Sequence, residues 1–289
     1  IVSDNANKQA IIQGNTGTTV VNNNSGASIA GGNGGAGGAG INGALAAAGG
    51  AGGVGIQGAD LQINNAGAIS GGLGGDGTRA AAVRFTGGSN TLALDAGSVL
   101  TGGVDVGAGA SATIRSQASG LSMGDLALGG GTTLDASAGS SLEVAGSVSG
   151  SGALAVTGAG TVSLAAANTH GGGTIVNGGN LRIASAQALG SGPLSVSDGS
   201  LVGTSSPTLN DAPSLSGTAR LGAAAGSTMT LASGASLAAN TSIVVGSAAD
   251  SGVVEANGSS QPSASLGTLR VAGGTLTGSQ AGFWSANMA

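Results

Sequence analysis

The sequence contains no cysteine, which excludes disulfides, thiolate metal sites and cysteine nucleophiles. Tyrosine is absent, and two phenylalanines and one tryptophan are too few for a large aromatic core or the paired aromatic girdles of an outer-membrane barrel. Lys8 is the only lysine and no basic run exists. That excludes the clustered-base footprint of a nucleic-acid binder and the polybasic patch of a membrane-surface protein. No apolar stretch is long enough for a membrane-spanning helix. Charge itself is scarce: 12 acids and 7 bases make up 7% of the chain and leave a net charge of −5.

What the chain has instead is glycine and small aliphatics. Glycine accounts for 62 of 289 residues, and each one weakens a helix by about 1 kcal/mol relative to alanine. Yet 40% of residues are hydrophobic and the mean hydropathy is +0.33, which argues against disorder, where hydrophobicity is low and charge high. Alanine, valine, leucine and isoleucine suit a long, thin core of small layers. The chain opens at Ile1 without a signal-peptide pattern, so it reads as a processed or excised segment.

A short phrase recurs: glycine, a small polar residue, then alternating aliphatics. Gly131-Thr-Thr-Leu134, Gly152-Ala-Leu154-Ala-Val156 and Gly173-Thr-Ile175-Val176 start 21 residues apart. A second series interleaves at Gly139, Gly160, Gly179 and Gly199, with spacings of 21, 19 and 20. A third, fainter series holds Leu126-Ala-Leu128, Val148 and Leu189. Three short strands per period of about 20 residues predict an all-β fold. The expected architecture is a single elongated right-handed parallel β-helix, with about three strands per rung. Stacked rows of Leu134, Leu142, Leu154, Val162, Ile175, Leu181 and Leu201 are expected to point inward, and Ala155 and Arg182 outward. One domain spans 1–289, with glycine-rich loops or arcs within 26–80 and the best-defined repeats over 125–201. The glycine-rich part carries GGxGGxG phrases beginning at residues 31, 34, 49 and 71, flanking Ile41, Ile56, Ile63 and Ile69 as expected rung interiors. Pro207 and Pro213 predict a loop interruption, since proline cannot donate to a central ladder.

The tract from Gly150 to Leu201 resembles the autotransporter-associated β-strand repeat of Gram-negative passenger domains. The match is carried by GAGTVSL (158–164), ANTHGGGTIVNGGNLRI (167–183) and ALGSGPL (188–194). His170 stands where that family usually shows tyrosine. Residues 63–104 resemble the rungs of adhesin-type passengers. The resemblance implies a β-helix exported through a C-terminal outer-membrane barrel to the bacterial surface or beyond.

Several residues invite a chemical reading. Gly71-Gly-Leu-Gly74-Gly-Asp76 fits a calcium β-roll phrase, but Ala39 and Val54 occupy the aspartate position in sister copies and Thr78 replaces the bulky aliphatic, so a turn is expected. Asp95, Asp105, Asp125 and Asp135 recur at tens, as a lyase-type carboxylate cluster would require; their place at strand ends beside small residues suits turns better. His170 is the one base available to a serine triad, and a surface packing or capping role is expected for it. Arg79, Arg84, Arg115, Arg182, Arg220 and Arg270 are scattered, and form a glycan-binding patch only if the rungs align several of them. No catalytic residue, metal ligand or cofactor is assigned, and no nucleic-acid partner or membrane insertion of this segment is expected.

The expected function is a non-enzymatic surface adhesin or scaffold, mediating cell–cell aggregation or host adhesion through the outer faces. The partners would be a second copy or a host surface or glycan ligand. The alternative is a passive stalk of a larger autotransporter, with an enzymatic or host-factor-binding module elsewhere; a polysaccharide lyase comes third. If the chain self-associates, the contact would use Asn22, Asn23, Asn24, Asn64 and Asn65, because an amide both donates and accepts and can pair with its own copy; the alternative is that these asparagines stack inside β-helix corners purely for structure.

Overall fold

Successive side chains of a strand point to opposite sides, so Leu154-Ala-Val156 and Leu181-Arg-Ile183 each present aliphatics to one side only. In the computed structural model Leu154, Val156, Leu181 and Ile183 are fully buried, while Ala155 and Arg182 face outward. The structure describes residues 2–4, 9–11, 17–37, 48–233, 235–257 and 266–278. Among them there is no α-helix, and a four-residue 3-10 turn at Ala186–Leu189 is the one helical element. Parallel strands stack as a β-solenoid of about eight turns.

Three faces enclose the interior. The first runs in parallel register from Thr19–Asn23 through Leu61–Asn65, Ala110–Ser116, Leu154–Thr157 and Leu194–Ser197 to Ser236–Leu237. The second is an 8-stranded sheet from Leu121–Met123 to Leu266–Val271, preceded by the short strands Ser28–Ala30, Ala68–Ser70 and Val99–Thr101. The third holds Ile56–Ala59, Val104–Val106, Leu126–Leu128 and Val148–Gly150, and resumes at Thr208–Leu209. In the gap between those stretches a side chain takes over from the ladder. The Asn168 amide accepts from the Val148 N–H at 2.7 Å and donates to the Ala188 carbonyl at 2.6 Å. The third series is faint in the sequence because an asparagine and a 3-10 turn replace strands there. Pro207 and Pro213 sit immediately before strands, and their carbonyls accept from Thr230 and Ser236 of the next turn.

The interior is one hydrophobic cluster from Val21 to Ala256, aliphatic but for Phe85 and two methionines. Each fully buried leucine, valine or isoleucine contributes about 1.5–3 kcal/mol, and a stacked side chain touches the rungs above and below it. Leu134, Leu142, Leu154, Val162, Leu181 and Leu201 all point inward as expected. Ile175 does not: it is 41% exposed, and Thr174 and Val176 are the inward pair. The strand register is Leu154↔Thr174 and Val156↔Val176, so Gly152 lies one residue farther from its strand than Gly173 does. Thr174 tolerates burial because its hydroxyl donates to the Leu189 carbonyl at 2.9 Å and also contacts His170.

The glycine-rich region is more ordered than loops or arcs. Residues 31–37, 48–55 and 70–77 lie side by side, joined by hydrogen bonds that recur every third residue. Gly31 and Gly34 donate to Ser70 and Leu73, Gly50 and Gly53 to Gly35 and Gly32, and Gly72 and Gly75 to Gly53 and Gly50. Each segment donates to one neighbour and accepts from the other, closing a triangle with the three-residue repeat of a polyproline-II-type helix. A Cβ at Gly31, Gly34 or Gly72 would stand 1.9 Å from the carbonyl oxygen of Gly53, Gly50 or Gly32. Ile41 and Asn42 lie outside the described residues.

Candidate functional site

Four of the five asparagines are brought together in register, Asn22↔Asn64 and Asn23↔Asn65, on the first face. Alternation then divides them. Asn22 and Asn64 point outward, and the Asn64 amide donates to Asn22 Oδ1 at 2.8 Å. Asn23 and Asn65 are 3% and 0% exposed, and Asn23 donates to Asn65 Oδ1 at 2.7 Å and to the Ala68 carbonyl at 3.0 Å. Their side chains hold a corner and cannot reach a partner. Asn65 Nδ2 has no hydrogen-bond partner among the described residues; the position after it in register is Leu94, which ends the amide ladder. Asn24 is exposed in the following turn.

Beyond the asparagines, the first face presents rows of hydroxyls and small groups. Gln62, Thr91, Thr113, Thr133 and Ala155 are register partners along one outward row. In the adjacent row Arg115 pairs with Asp135 at 2.8 Å, while Arg84 and Asp105 pair on the third face at 2.7 Å. Both ion pairs join neighbouring strands in register. The arginines that look scattered in sequence are thus partly spent on aspartates one turn away. Exposed pairs of this kind contribute about 0–1 kcal/mol.

Several other acids hold turns or brace the following strand. Asp125 accepts from the Ser147 N–H at 2.8 Å, and Asp60 and Asp198 accept from Ser89 and Thr218 on the following turn. Asp95 lies in a turn in which its carbonyl accepts from Ser98. Asp76 closes an Asx turn on Thr78, accepting from its N–H at 2.9 Å and its hydroxyl at 2.7 Å. Those bonds, the hydroxyl's foremost, hold the Asp76 carboxyl below the ordinary aspartate range. No group of three or more His, Asp or Glu side chains that could hold a metal ion occurs among the described residues.

His170 is not at the surface: it is 0% exposed. The Thr174 hydroxyl spends its hydrogen on Leu189, so it must accept from His170 Nε2–H across 3.0 Å. The ring is therefore the Nε2–H tautomer, and Nδ1 has no hydrogen-bond partner among the described residues. Burial pushes the imidazole pKa down, and the Val148 carbonyl offsets part of that. Ser191 contacts the backbone carbonyl of His170, not the ring, and no carboxylate is hydrogen-bonded to the imidazole among the described residues.

Arg182, outward as expected, is half-buried and reaches Asp250 at 2.9 Å. It reaches past two intervening strands to an aspartate 68 residues away that is itself only 8% exposed. No periodicity in the sequence signals that pairing. Comparison with family models, with curated proteins and with solved structures gives no match to this chain.

Proposed function

We propose that this chain is a non-enzymatic scaffold of the bacterial cell surface, of the autotransporter-passenger type, whose outer faces make contacts between cells or with a host. The observation that carries the reading is the division of chemistry between inside and outside. The interior is aliphatic along the solenoid, while amides, hydroxyls and small groups repeat along the outside in rows one strand spacing apart. A repeated, nearly uncharged polar surface suits many weak contacts acting together, where multivalency supplies the strength that a single contact lacks. The resemblance of 150–201 to passenger repeats supports the location.

Cells displaying this segment on a carrier barrel should settle faster than cells displaying the barrel alone. Replacing Asn22, Asn24 and Asn64 by serine, with Asn23 and Asn65 left in place, should slow that settling without altering the far-UV spectrum. Equal settling of displaying and barrel-only cells would refute the contact reading. It would favour a passive stalk, for which the self-satisfied pairs Arg84–Asp105 and Arg115–Asp135 already speak. A lyase is less well supported, because the acids that it would need are engaged in ion pairs and turns on different faces.

A further inference from the structure

Arg220, Val244 and Arg270 are register partners on consecutive strands of the second face. The two arginines are therefore two strand spacings apart, about 9.6 Å. Two residues earlier on the same strands stand Thr218, Ser242 and Thr268, also register partners and also outward. A cationic row thus runs beside a hydroxyl row. Arg182 projects from the same face, with its charge met by Asp250.

Arg220 and Arg270 differ from Arg84 and Arg115 in what stands beside them. The register neighbours of Arg220 are Ser200 and Val244, and that of Arg270 is Val244; none is acidic. Arg220 Nη1 donates to the Gly246 carbonyl at 2.8 Å, which orients the planar guanidinium and leaves its other donors available. Arg270 is exposed. With Asp250 close by but engaged by Arg182, this is a local excess of positive charge in a chain of net charge −5.

We propose that this face binds a linear polysaccharide bearing sparse acidic groups. Arg220 and Arg270 would take carboxylates or sulfates, and the Thr218–Ser242–Thr268 row would meet sugar hydroxyls, since a hydroxyl both donates and accepts. The inference rests on the contact function above and names its partner. The spacing disfavours nucleic acid, whose phosphates recur about every 3.4 Å per strand along the duplex axis. No aromatic ring stands in these two rows to stack a base. An anionic membrane would call for a denser basic cluster.

The test is retention of the whole chain by alginate, by dextran sulfate and by neutral dextran at low salt. Binding to an acidic polymer and not to dextran is expected, and the preference between alginate and dextran sulfate separates carboxylate from sulfate recognition. R270Q, at an exposed position, should weaken binding about tenfold, the scale of one lost charge-assisted contact. R220Q/R270Q should abolish it, and R84Q should leave it unchanged. Wild-type affinity in a folded R270Q, no retention by either acidic polymer, equal retention by dextran, or tighter binding to an oligothymidylate would each overturn the proposal. If displaying cells still clump after such a failure, this ligand falls and the contact function stands.

Discussion

The glycine triangle and the aliphatic rungs solve one packing problem in opposite ways. Over residues 126–201 strands are held by what their side chains bury: Leu154, Val156, Leu181 and Ile183 fill the interior, and the backbone ladder follows. In the segments 31–37, 48–55 and 70–77 the chain is held by what is missing, because the carbonyls of Gly32, Gly50 and Gly53 occupy the space a Cβ would need. The rungs have an apolar driving force and tolerate much on their outer side. The triangle has main-chain hydrogen bonds and close contact, with little apolar area behind them. Stability should therefore be global in one region and local in the other.

The sharpest way to break that contrast is Leu181→Asp, which buries an unpaired carboxylate between two rungs. A loss of more than about 4 kcal/mol is expected in denaturant unfolding; a loss no larger than that of an outward substitution would show the facing to be wrong. Next comes Gly72→Ala, whose Cβ meets the Gly32 carbonyl oxygen at 1.9 Å. It should loosen the triangle by about 2 kcal/mol, seen as faster amide exchange over 31–35 and 50–53 with the main melting transition unmoved. Gly35→Ala is its control, since a Cβ there meets nothing within 4 Å, and exchange should be unchanged.

Arg182→Asp sharpens the picture on the outer side. An ordinary outward substitution matters by about 0.5 kcal/mol or less, but here the new acid faces the largely buried Asp250. A loss of about 1–2 kcal/mol is expected after allowing for the partial exposure of Arg182, and Arg182→Gln should lose less. Equal midpoints for the two variants would remove Asp250 from the account.

The smallest effect is a pH dependence from His170. Its folded pKa lies below the ordinary value of about 6.5. Above that pH both folded and unfolded states are neutral at this site and it contributes no slope. As pH falls below about 6.5 the unfolded chain takes up the proton first, so stability declines until the folded pKa is reached. His170→Gln should flatten that part of the profile; an unchanged slope between about pH 6.5 and 5 would assign it to other groups.

The fold was largely legible because alternation and a period near 20 residues are local signals. Leu134, Leu142 and Leu181 could be placed inward from their own neighbours alone. What could not be read depends on register between turns of unequal length. Ile175 faces outward against expectation because the distance from glycine to strand changes by one residue between Gly152 and Gly173. The pairs Arg84–Asp105 and Arg115–Asp135 join residues 21 and 20 apart, one turn of the solenoid, and follow from the period once the outward rows are in register; Arg182–Asp250, 68 residues apart, does not. Among the candidate asparagines the sequence marks the cluster, but only the strand phase separates the outward Asn22 and Asn64 from the buried Asn23 and Asn65. The three-residue repeat of GGxGGxG is visible in the sequence, whereas its closure into a triangle requires three distant segments.

The absence of cysteine makes one direct test of the stacked rungs straightforward, since spin labels can be placed at introduced cysteines alone. Thr91, Thr133, Ser195 and Ser236 share one outward row of the first face. Thr133 lies two strands beyond Thr91, Ser195 five and Ser236 seven. Electron–electron distances from Thr91 to Ser195 and to Ser236 should centre near about 24 Å and 34 Å, growing by about 4.8 Å per turn. A Thr91–Ser236 distance equal to or shorter than the Thr91–Ser195 distance would mean that the chain folds back on itself, and would contradict the solenoid.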